Sequence, residues 1–527
     1  MLRRTLSLYI FIILCFMAIL GRIVFIQHSE YSSVSETRSK RTMIIGEKRG
    51  MIYDRNLDAL VNNNKHMLAV ATPCPATFGY LKDSLDKDIL REKIRDGYPF
   101  LCQVDREINN DFIRTFSVAE RYSDSGTAVH IIGYCSSDGQ EGITGIEKSY
   151  NAYLKENSGR LTVTFDVDAV GRVMAGMDKT VTDANYSSKA GVVLTIDMRI
   201  QQIAEKALKE SEIKSGCAVV MHIKTGDLLA VASVPTYNQN KVADSLDREG
   251  SPLVNKALNA YSVGSIFKPI VAAAALENGI NHEEAYECSG EITVGDRTFS
   301  CYNNKSHGKV NMTSALENSC NTYFINLIMQ MDYHFLLSLC EEIGFAKKDI
   351  LAPAISGSAG SLPTKEELEI KGNLANLAFG QGSLTATPLQ IAKAYHLLAT
   401  GNYVRPGLIL GFTNYMGLMT AEPRENPIKL LSDETVVSLR QMLLSVTKKG
   451  LANNAYSSLV SLAGKTGTAQ SGIYKNGKEV LRTWFAGFFP AENPHYIVVI
   501  MNEDGIGGNT DCAPVFREIC EEIVLWQ

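Results

Sequence analysis

The chain has 527 residues, of which 45% are hydrophobic and 21% are charged. A chain of this length and composition can bury a large core, and we expect two or more globular domains. The formal net charge of -5 and the absence of a long Lys/Arg run argue against a nucleic-acid partner. The nine histidines and eleven cysteines form no His-x-x-x-His or Cys-x-x-Cys pair, so neither a metal site nor a cofactor is expected.

The N-terminus carries a long apolar segment after two arginines. Residues 6–20 have no charge, and the apolar run resumes after Arg22. If Arg22 snorkels to the headgroups, residues 6–26 provide the ~20 residues that a helix needs to cross a bilayer. A cleaved signal peptide is the alternative, but no small-residue cleavage site follows the run. We predict an uncleaved anchor, with the arginine-bearing residues 1–5 in the cytoplasm and the remainder outside.

From Tyr31 to about residue 190 the chain is polar and lacks long helical periodicity. This pattern predicts an elongated domain of strands and short helices. Two stretches stand out within it. The alternating charges of Arg49 to Asn56 indicate a salt-bridged hairpin, and Gly142 to Glu147 leads into a capped helix that ends near Lys155.

The character of the sequence changes near Gly191, where we place the start of a second domain. Residues 192–196 are strand-like, and Asp197 is predicted to cap an amphipathic helix at 200–213. Five further runs are rich in β-forming residues: 218–223, 228–233, 461–469, 483–489 and 496–501. Strands from the end of the chain must pair with those near its start, which predicts an antiparallel sheet with helices on both faces.

Ser265 and Lys268 place a hydroxyl and an amine one helical turn apart. Side chains at i and i+3 lie on one face of a helix, so the amine can reach the hydroxyl. A serine hydroxyl is unreactive near neutral pH without such a base. The spacing alone selects nothing, because four other pairs share it: Ser84/Lys87, Ser211/Lys214, Ser306/Lys309 and Ser445/Lys448.

The order of motifs along the chain supplies a second criterion. Ser319-Cys320-Asn321 and Lys465-Thr466-Gly467-Thr468 both follow Ser265. Other copies of the two patterns, Ser149-Tyr150-Asn151 and Lys224-Thr225-Gly226, precede Ser265 and cannot complete the set in that order. The second of these copies is assigned to a hairpin turn.

Three cysteines lie near these motifs. Cys320 separates Ser319 from Asn321 in a turn predicted between two helices. We assign Cys320 to packing, because no His or Asn is arranged to activate it as a nucleophile. Cys288 and Cys301 flank a short β-like stretch, and they are either free thiols or a disulfide, since spacing does not decide pairing.

The set Ser-x-x-Lys, Ser-x-Asn and Lys-Thr-Gly is typical of penicillin-binding proteins and serine β-lactamases. Over nearly its whole length the chain resembles class B penicillin-binding proteins, the membrane-anchored peptidoglycan D,D-transpeptidases. Further motifs carry the resemblance: Arg49-Gly50 with Asp54-Arg55-Asn56, Gly142 to Glu147, Leu194 to Asp197 with Gln201, and Gly380-Gln381-Gly382 with Thr387 to Gln390. Val263 departs from the family, which often has proline there. No glycosyltransferase domain fits before residue 190, which excludes the bifunctional class A.

The resemblance implies an α+β fold with three parts. A transmembrane helix is followed by an elongated β-rich pedestal domain of the dimerisation type at 31–190. A transpeptidase domain of the penicillin-binding and serine β-lactamase type then occupies 191–527, with a five-stranded antiparallel sheet and helices on both faces.

The resemblance also implies catalytic roles. Ser265 attacks the carbonyl between the two terminal D-alanines of a stem peptide, and Lys268 takes its proton. Lysine has an ordinary pKa near ~10.4, so Lys268 needs burial and a nearby cation, for which Lys465 is the candidate. Ser319 relays the proton to the leaving amine, and Asn321 holds the substrate amide and Lys268.

The same resemblance implies the substrate-binding groups. Thr466 and Thr468 bind the terminal carboxylate together with Lys465. Backbone N–H groups of Ser265 and Thr468 form an oxyanion hole. Gly467 leaves room for the substrate to lie along the strand as an added one.

Alternative functions stay open from the residues. A D,D-carboxypeptidase or a β-lactamase uses the same motifs with an activated water, and a non-catalytic β-lactam sensor or cell-wall scaffold is an alternative of another class. The implied partners are peptidoglycan stem peptides, β-lactams as inhibitors, the membrane and a membrane-embedded glycosyltransferase.

Overall fold

The computed structural model describes residues 2–27, 39–124, 126–174, 179–475 and 477–526. Tyr31, the predicted start of the elongated domain, lies outside these residues. The chain divides into two compact units. The first comprises Met1–Gly50, Asn62–Arg121 and Asn157–Ser188, and the second comprises Met51–Val61, Tyr122–Glu156 and Lys189–Gln527. Two segments that precede residue 190 in sequence therefore fold with the C-terminal part, and the domain bounds 31–190 and 191–527 stay a prediction.

The strands that build the larger sheets and the hairpins near the site are, in chain order, β1 (Lys40–Lys48), β2 (Met51–Tyr53), β3 (Asn64–Ala71), β4 (Phe100–Val104), β5 (Ile113–Glu120), β6 (Gly159–Asp166), β7 (Thr180–Ala184), β8 (Gly191–Leu194), β9 (Gly216–His222), β10 (Leu228–Val234), β11 (Tyr286–Cys288), β12 (Glu291–Val294), β13 (Arg297–Ser300), β14 (Gly308–Val310), β15 (Ile409–Thr413), β16 (Met419–Ala421), β17 (Ala463–Lys475), β18 (Lys478–Phe489) and β19 (Tyr496–Gly505).

The α-helices are, in chain order, α1 (Leu2–Gln27), α2 (Pro75–Leu81), α3 (Lys87–Asp96), α4 (Val129–Ile132), α5 (Gly145–Ser149), α6 (Asn151–Glu156), α7 (Met198–Glu210), α8 (Lys268–Glu277), α9 (Met312–Glu317), α10 (Asn321–Ile328), α11 (Tyr333–Ile343), α12 (Lys365–Leu368), α13 (Lys371–Ala378), α14 (Pro388–Thr400), α15 (Asp433–Lys448) and α16 (Gly508–Trp526).

Helix α1 confirms the helix expected at 6–26. It is the one helix in the described part of the chain that is long and apolar enough to cross a membrane, and its apolar side chains are exposed. At 1.5 Å per residue, its 26 residues extend about 39 Å, which exceeds the ~30 Å of a hydrocarbon core.

Two three-stranded sheets form the first unit. One has the order β1-β6-β7 and the other β4-β3-β5, with antiparallel pairing throughout. Val70 and Val118 of the second sheet share a core with Ile45, Val163 and Phe165 of the first. Strands rather than long helices follow from the polar, non-periodic sequence of this region, as predicted.

A five-stranded sheet of order β10-β9-β19-β18-β17 organises the second unit, and every pair in it is antiparallel. Six of the seven residues of β9 are buried, on both sides of the sheet, so both faces are covered. Helices α7 and α16 contact each other and the sheet, and α14 packs on β9, β18 and β19. The predicted antiparallel sheet is confirmed.

Strand β8 and helix α7 lie where the sequence predicts a strand followed by a capped helix. The Asp197 carboxylate caps α7 by accepting hydrogen bonds from the N–H groups of Arg199 and Ile200. Gln201, inside α7, accepts from the Val231 N–H at 2.7 Å and donates to the Val231 carbonyl at 3.1 Å. This buried amide fastens the helix to the neighbouring strand β10.

The chain turns back after Asp54, where Tyr53 forms an antiparallel bridge with Ala59, and the ion pairs predicted for Arg49 to Asn56 stay a prediction. Strand β2 also pairs in parallel with β8. The buried Asp54 carboxylate accepts hydrogen bonds from the N–H groups of Asn56, Asp58 and Met198, at 2.8, 2.8 and 3.1 Å. Asp54 therefore organises a turn and the start of α7, because buried carboxylates need donors as much as they need opposite charges.

Candidate active site

Ser265 lies on a single turn of 3-10 helix, Gly264–Phe267, which leads directly into α8. Pro269 falls in the first turn of α8, where its missing N–H costs no hydrogen bond. The Ser265 side chain is half-buried at the surface of this turn.

Two glycines fix the turn that carries Ser265. The N–H of Gly264, which has φ +67°, donates to the carbonyl of Gly380 at 2.8 Å. Gly380 has φ +76°, and a Cβ built on it would lie 2.1 Å from the Gly264 oxygen. Only a glycine allows this approach of two backbones. The sequence showed the Gly-Gln-Gly motif but not that it supports the Ser265 turn.

Lys268 is fully buried, and its amine is held by the Ser-x-Asn motif. Nζ donates to the Ser319 carbonyl at 2.7 Å, to Ser319 Oγ at 3.1 Å and to Asn321 Oδ1 at 2.7 Å. The predicted contact between Lys268 Nζ and the Ser265 hydroxyl is not among the hydrogen bonds of the described residues. A neutral amine keeps only two donors, and its lone pair can then accept the Ser319 hydroxyl proton.

Burial sets the protonation of this amine. It lowers the pKa of Lys268 from 10.5 to about 7, against the opposing influence of the Cys320 and Cys301 thiols. Desolvation acts this way because a low-dielectric surrounding disfavours the charged form. The pKa therefore reaches the range that a general base needs near neutral pH.

Ser319 and Asn321 lie in the turn between α9 and α10, as predicted. Ser319 adopts a left-handed backbone with φ +51°, which is unusual for a residue with a side chain. Asn321 is the first residue of α10, and its amide Nδ2 donates to the Ser300 carbonyl at 2.9 Å. No sequence pattern points to Ser300, whose backbone oxygen orients the Asn321 amide.

Lys465 lies on β17, and it is also fully buried. Its Nζ donates to Ser319 Oγ at 3.1 Å and to the Thr466 carbonyl at 3.1 Å. Burial first, and the charge of Lys268 second, lower the pKa of Lys465 well below its ordinary range. Two ammonium groups on one hydroxyl oxygen repel, so the pair favours a state in which one amine is neutral.

Strand β17 forms the edge of the five-stranded sheet and carries the remaining predicted residues. Thr468 is exposed, Thr466 is half-buried and Gly467 is buried. A Cβ on Gly467 would lie 2.9 Å from the side chain of Ile266, so this glycine lets the Ser265 turn pack on the strand. Thr468 Oγ1 accepts a hydrogen bond from the Gly508 N–H at 3.3 Å.

The fold thus brings the three motifs together. Ser319 Oγ lies between the two lysine amines, at 3.1 Å from each. A Cβ on Gly264 would lie 2.9 Å from the Thr468 carbonyl oxygen, so the Ser265 turn touches the edge strand. A hydroxyl, a neutralised amine, a relay hydroxyl and a second amine are the components of serine acyl transfer.

Comparison with known proteins agrees with this site. The family described as "Penicillin binding protein transpeptidase domain" matches residues 216–521. Stage V sporulation protein D of Bacillus subtilis (strain 168) is 26% identical over 99% of this chain and 85% of its own length. Peptidoglycan D,D-transpeptidase FtsI of Escherichia coli (strain K12) is 25% identical over 96% of this chain and 89% of its own.

A solved structure shows the same fold. The D,D-transpeptidase domain of peptidoglycan glycosyltransferase from Eggerthella lenta superposes with a TM-score of 0.65 at 26% identity, covering 91% of this chain and 99% of that one. Fold and site together define a serine acyltransferase of the penicillin-binding type. The chain belongs to the penicillin-binding protein transpeptidase family, as a class B member.

Proposed function

We propose that the site around Ser265 carries out peptidoglycan D,D-transpeptidation, which cross-links stem peptides through a serine acyl-enzyme and releases terminal D-Ala. The observation that carries this proposal is the position of Ser319 Oγ between Lys268 Nζ and Lys465 Nζ. The full-length relatives, which include the named D,D-transpeptidase of Escherichia coli, support the choice of substrate.

Acylation begins with the neutral Lys268 amine taking the proton of the Ser265 hydroxyl. The Ser265 oxygen forms an ester with the penultimate D-Ala carbonyl, and the bond to the terminal D-Ala nitrogen breaks. That nitrogen needs a proton, which Lys268 supplies through the Ser319 hydroxyl. Asn321 fixes Lys268 through the 2.7 Å hydrogen bond to its Oδ1. An acceptor amine then attacks the ester and forms the new amide bond. Its proton passes through the Ser319 hydroxyl and Lys268 back to the departing Ser265 oxygen.

Binding groups complete the site. Lys465 and the Thr466 and Thr468 hydroxyls hold the terminal carboxylate of the substrate. The backbone N–H groups of Ser265 and Thr468 stabilise the oxyanion, each contributing roughly 10²- to 10³-fold in rate. The free edge of β17 accepts the substrate as an added strand. β-Lactams, which present a strained amide to the same groups, acylate Ser265 and inhibit the enzyme.

Labelling with a fluorescent penicillin tests the nucleophile. We expect the full-length chain in detergent to form one adduct, which mass spectrometry maps to Ser265. Ser265→Ala should abolish labelling. Lys268→Ala and Lys268→Arg should abolish it too, because neither side chain accepts a proton near neutral pH. An adduct at Ser211 or Ser445, or unchanged labelling of Ser265→Ala, overturns the assignment.

Product analysis separates transpeptidation from its alternatives. With a stem-peptide donor and an amine acceptor, the wild-type protein should form the cross-linked dimer and release D-Ala. Release of D-Ala without dimer would make it a carboxypeptidase, and rapid hydrolysis of penicillin would make it a β-lactamase. Binding of penicillin with neither product would leave a sensor or scaffold.

We also propose that α1 anchors the protein with its N-terminus in the cytoplasm and the catalytic unit outside the membrane, beside a membrane-embedded glycosyltransferase. A transpeptidase acts on glycan strands as they are polymerised, so such a partner delivers its substrate. The hydrogen bonds of Asp54 lie within its own unit, which supports a structural role rather than direct partner contact for this carboxylate.

Exchange of the helix tests the partner proposal. Replacing residues 6–26 with an unrelated transmembrane helix should abolish co-purification with the membrane-embedded glycosyltransferase and leave penicillin labelling unchanged. A cut near Gly191 is unsuitable, because it also removes Met51–Val61 and Tyr122–Glu156 from the catalytic unit. Retained co-purification in the exchanged chain contradicts docking through α1.

A further inference from the structure

Four metal-ligating side chains converge behind the Ser-x-Asn motif. Cys288 ends β11, Cys301 follows β13, His307 precedes β14, and Cys320 is the middle residue of the motif. Their ligand atoms all lie within 4.8 Å of one another, and the three cysteines are buried. The mechanism proposed above uses none of these four side chains.

Three distances between the ligand atoms match those of a tetrahedral site, and the others are no longer than 4.8 Å. Cys301 Sγ lies 3.8 Å from Cys288 Sγ and 3.8 Å from Cys320 Sγ. Zinc bonds to sulfur at about 2.3 Å, which places two thiolates of a tetrahedron about 3.8 Å apart. The Cys288 Sγ to His307 Nδ1 distance is 3.4 Å, near the ~3.5 Å expected for one sulfur and one nitrogen ligand.

The same distances distinguish this cluster from a disulfide. A sulfur–sulfur bond is about 2.05 Å long, and Cys288 and Cys301 are free thiols in this structure. The disulfide left open by the sequence is therefore not formed here. Cys301 is equally distant from two cysteines, an arrangement that suits a shared central ion rather than one pair.

Polar groups around the cluster favour thiolates. The buried Thr322 hydroxyl lies 3.1 Å from Cys288 Sγ, 3.3 Å from Cys320 Sγ and 3.7 Å from Cys301 Sγ. Second-shell donors of this kind are typical of metal sites.

We propose that Cys288, Cys301, His307 and Cys320 bind one Zn²⁺ ion in a closed tetrahedral Cys₃His site. Three thiolates and one imidazole suit zinc better than the oxygen-seeking Mg²⁺ or Ca²⁺. Binding releases the thiol protons to solvent. All four coordination positions are filled by the protein, so the site is structural and takes no part in the bond changes at Ser265.

The zinc site would connect the hairpins of residues 286–310 to the turn that carries Ser319 and Asn321. Cys288, Cys301 and His307 belong to the segment 286–310, whereas Cys320 lies between Ser319 and Asn321. Ser319 has a left-handed backbone, and conformations of that kind persist only when their surroundings hold them. Zinc on Cys320 would hold this turn and keep Ser319 Oγ in reach of both lysines. This positioning effect alone rests on the proposed function.

Metal analysis of the full-length chain tests the site. The protein, purified in detergent under reducing conditions through a tag without histidine, should contain one zinc per chain by elemental mass spectrometry. Exchange into Co²⁺ should give the thiolate-to-metal charge-transfer bands and intense visible absorption of a tetrahedral site. Cys288→Ala and His307→Ala should lose the zinc, and the control Cys340→Ala, a buried cysteine outside the cluster, should keep it.

A finer variant keeps the four ligands. Thr322→Val has nearly the same volume but lacks the hydroxyl, and it should weaken Co²⁺ affinity about 10- to 100-fold. A zinc content that is equal in wild type and Cys288→Ala would show adventitious metal and overturn the proposal. A wild-type protein that contains no zinc and gives no tetrahedral Co²⁺ spectrum would also overturn it. The same holds if Cys288–Cys301 or Cys301–Cys320 forms a disulfide in place of the metal site. These measurements do not depend on Ser265, so loss of penicillin labelling cannot imitate them.

Discussion

Acylation of Ser265 should depend on pH through the protonation of Lys268. Burial lowers the pKa of Lys268 from 10.5 to about 7. At 1.36 kcal/mol per pKa unit, a difference of about 3.5 corresponds to about 5 kcal/mol in favour of the neutral amine. Only this neutral form accepts the Ser265 proton, so the rate should rise with pH until the amine is fully deprotonated.

The expected change follows from the titration of one amine. With a pKa of about 7, the neutral fraction of Lys268 falls about 90-fold from about pH 8 to about pH 5. The second-order rate constant for labelling by a fluorescent penicillin, measured on the full-length chain in detergent, should fall by a similar factor. The penicillin carboxylate stays largely ionised across this range and does not account for such a loss.

Stability provides an independent measurement with a defined sign. The unfolded chain binds a proton on Lys268 up to about pH 10.5, whereas the folded chain releases it above about pH 7. Stability contributed by this group should therefore increase with pH between these values.

A labelling rate constant that is flat from about pH 5 to about pH 8, or that rises only near pH 10, would refute a neutral Lys268 as the base.

Two further predictions concern the support of the site and the fold. Gly380→Ala should abolish penicillin labelling, because its Cβ would lie 2.1 Å from a backbone oxygen of the Ser265 turn. The control is Gly279→Ala, at a position with φ +78° and no neighbour within 4 Å. This variant should lose only about 1–2 kcal/mol of stability and retain labelling. Equal labelling of the two variants would contradict this support. Asp349→Ala should destabilise the protein by about 3–5 kcal/mol in denaturant unfolding, because it leaves the buried Lys393 ammonium without its 2.7 Å partner. Asp504→Ala, which breaks an exposed ion pair, should cost less than about 1 kcal/mol, and a similar loss in both variants would refute the role of burial.

Local sequence determined a large part of this fold. The apolar run at 6–26 forms a helix because its length and composition permit little else, and Asp197 caps α7 because a short polar acceptor satisfies the first N–H groups of a helix. The β-rich runs at 218–223 and 228–233 form β9 and β10, which pair as an antiparallel hairpin around Gly226, whose φ is +69°. The order of the three motifs left Ser265 as the candidate nucleophile, although only Ser445/Lys448 of the other four pairs lies after Ser319 and is excluded by order alone.

The sequence could not show which groups meet across the chain. Lys268 and Ser265 were expected to contact each other from their spacing, but Lys268 Nζ donates hydrogen bonds to Ser319 and Asn321, which lie in the turn between α9 and α10. Likewise, the hairpin predicted at Arg49 to Asn56 did not indicate that β2 pairs with a strand about 140 residues away, or that the Asp54 carboxylate is buried. Such pairings depend on the sheet register and the packing of helices, which local patterns do not encode.

The cluster of Cys288, Cys301, His307 and Cys320 is likewise visible only in the tertiary structure. The sequence contains no metal motif of closely spaced ligands, because the four side chains are separated along the chain by two hairpins and a helix. Sequence alone determined the residue types, the helix and strand segments and the order of the catalytic motifs. Only the tertiary structure decided which polar groups face each other, and burial there lowers the pKa of Lys268 to about 7 because the interior solvates charge poorly.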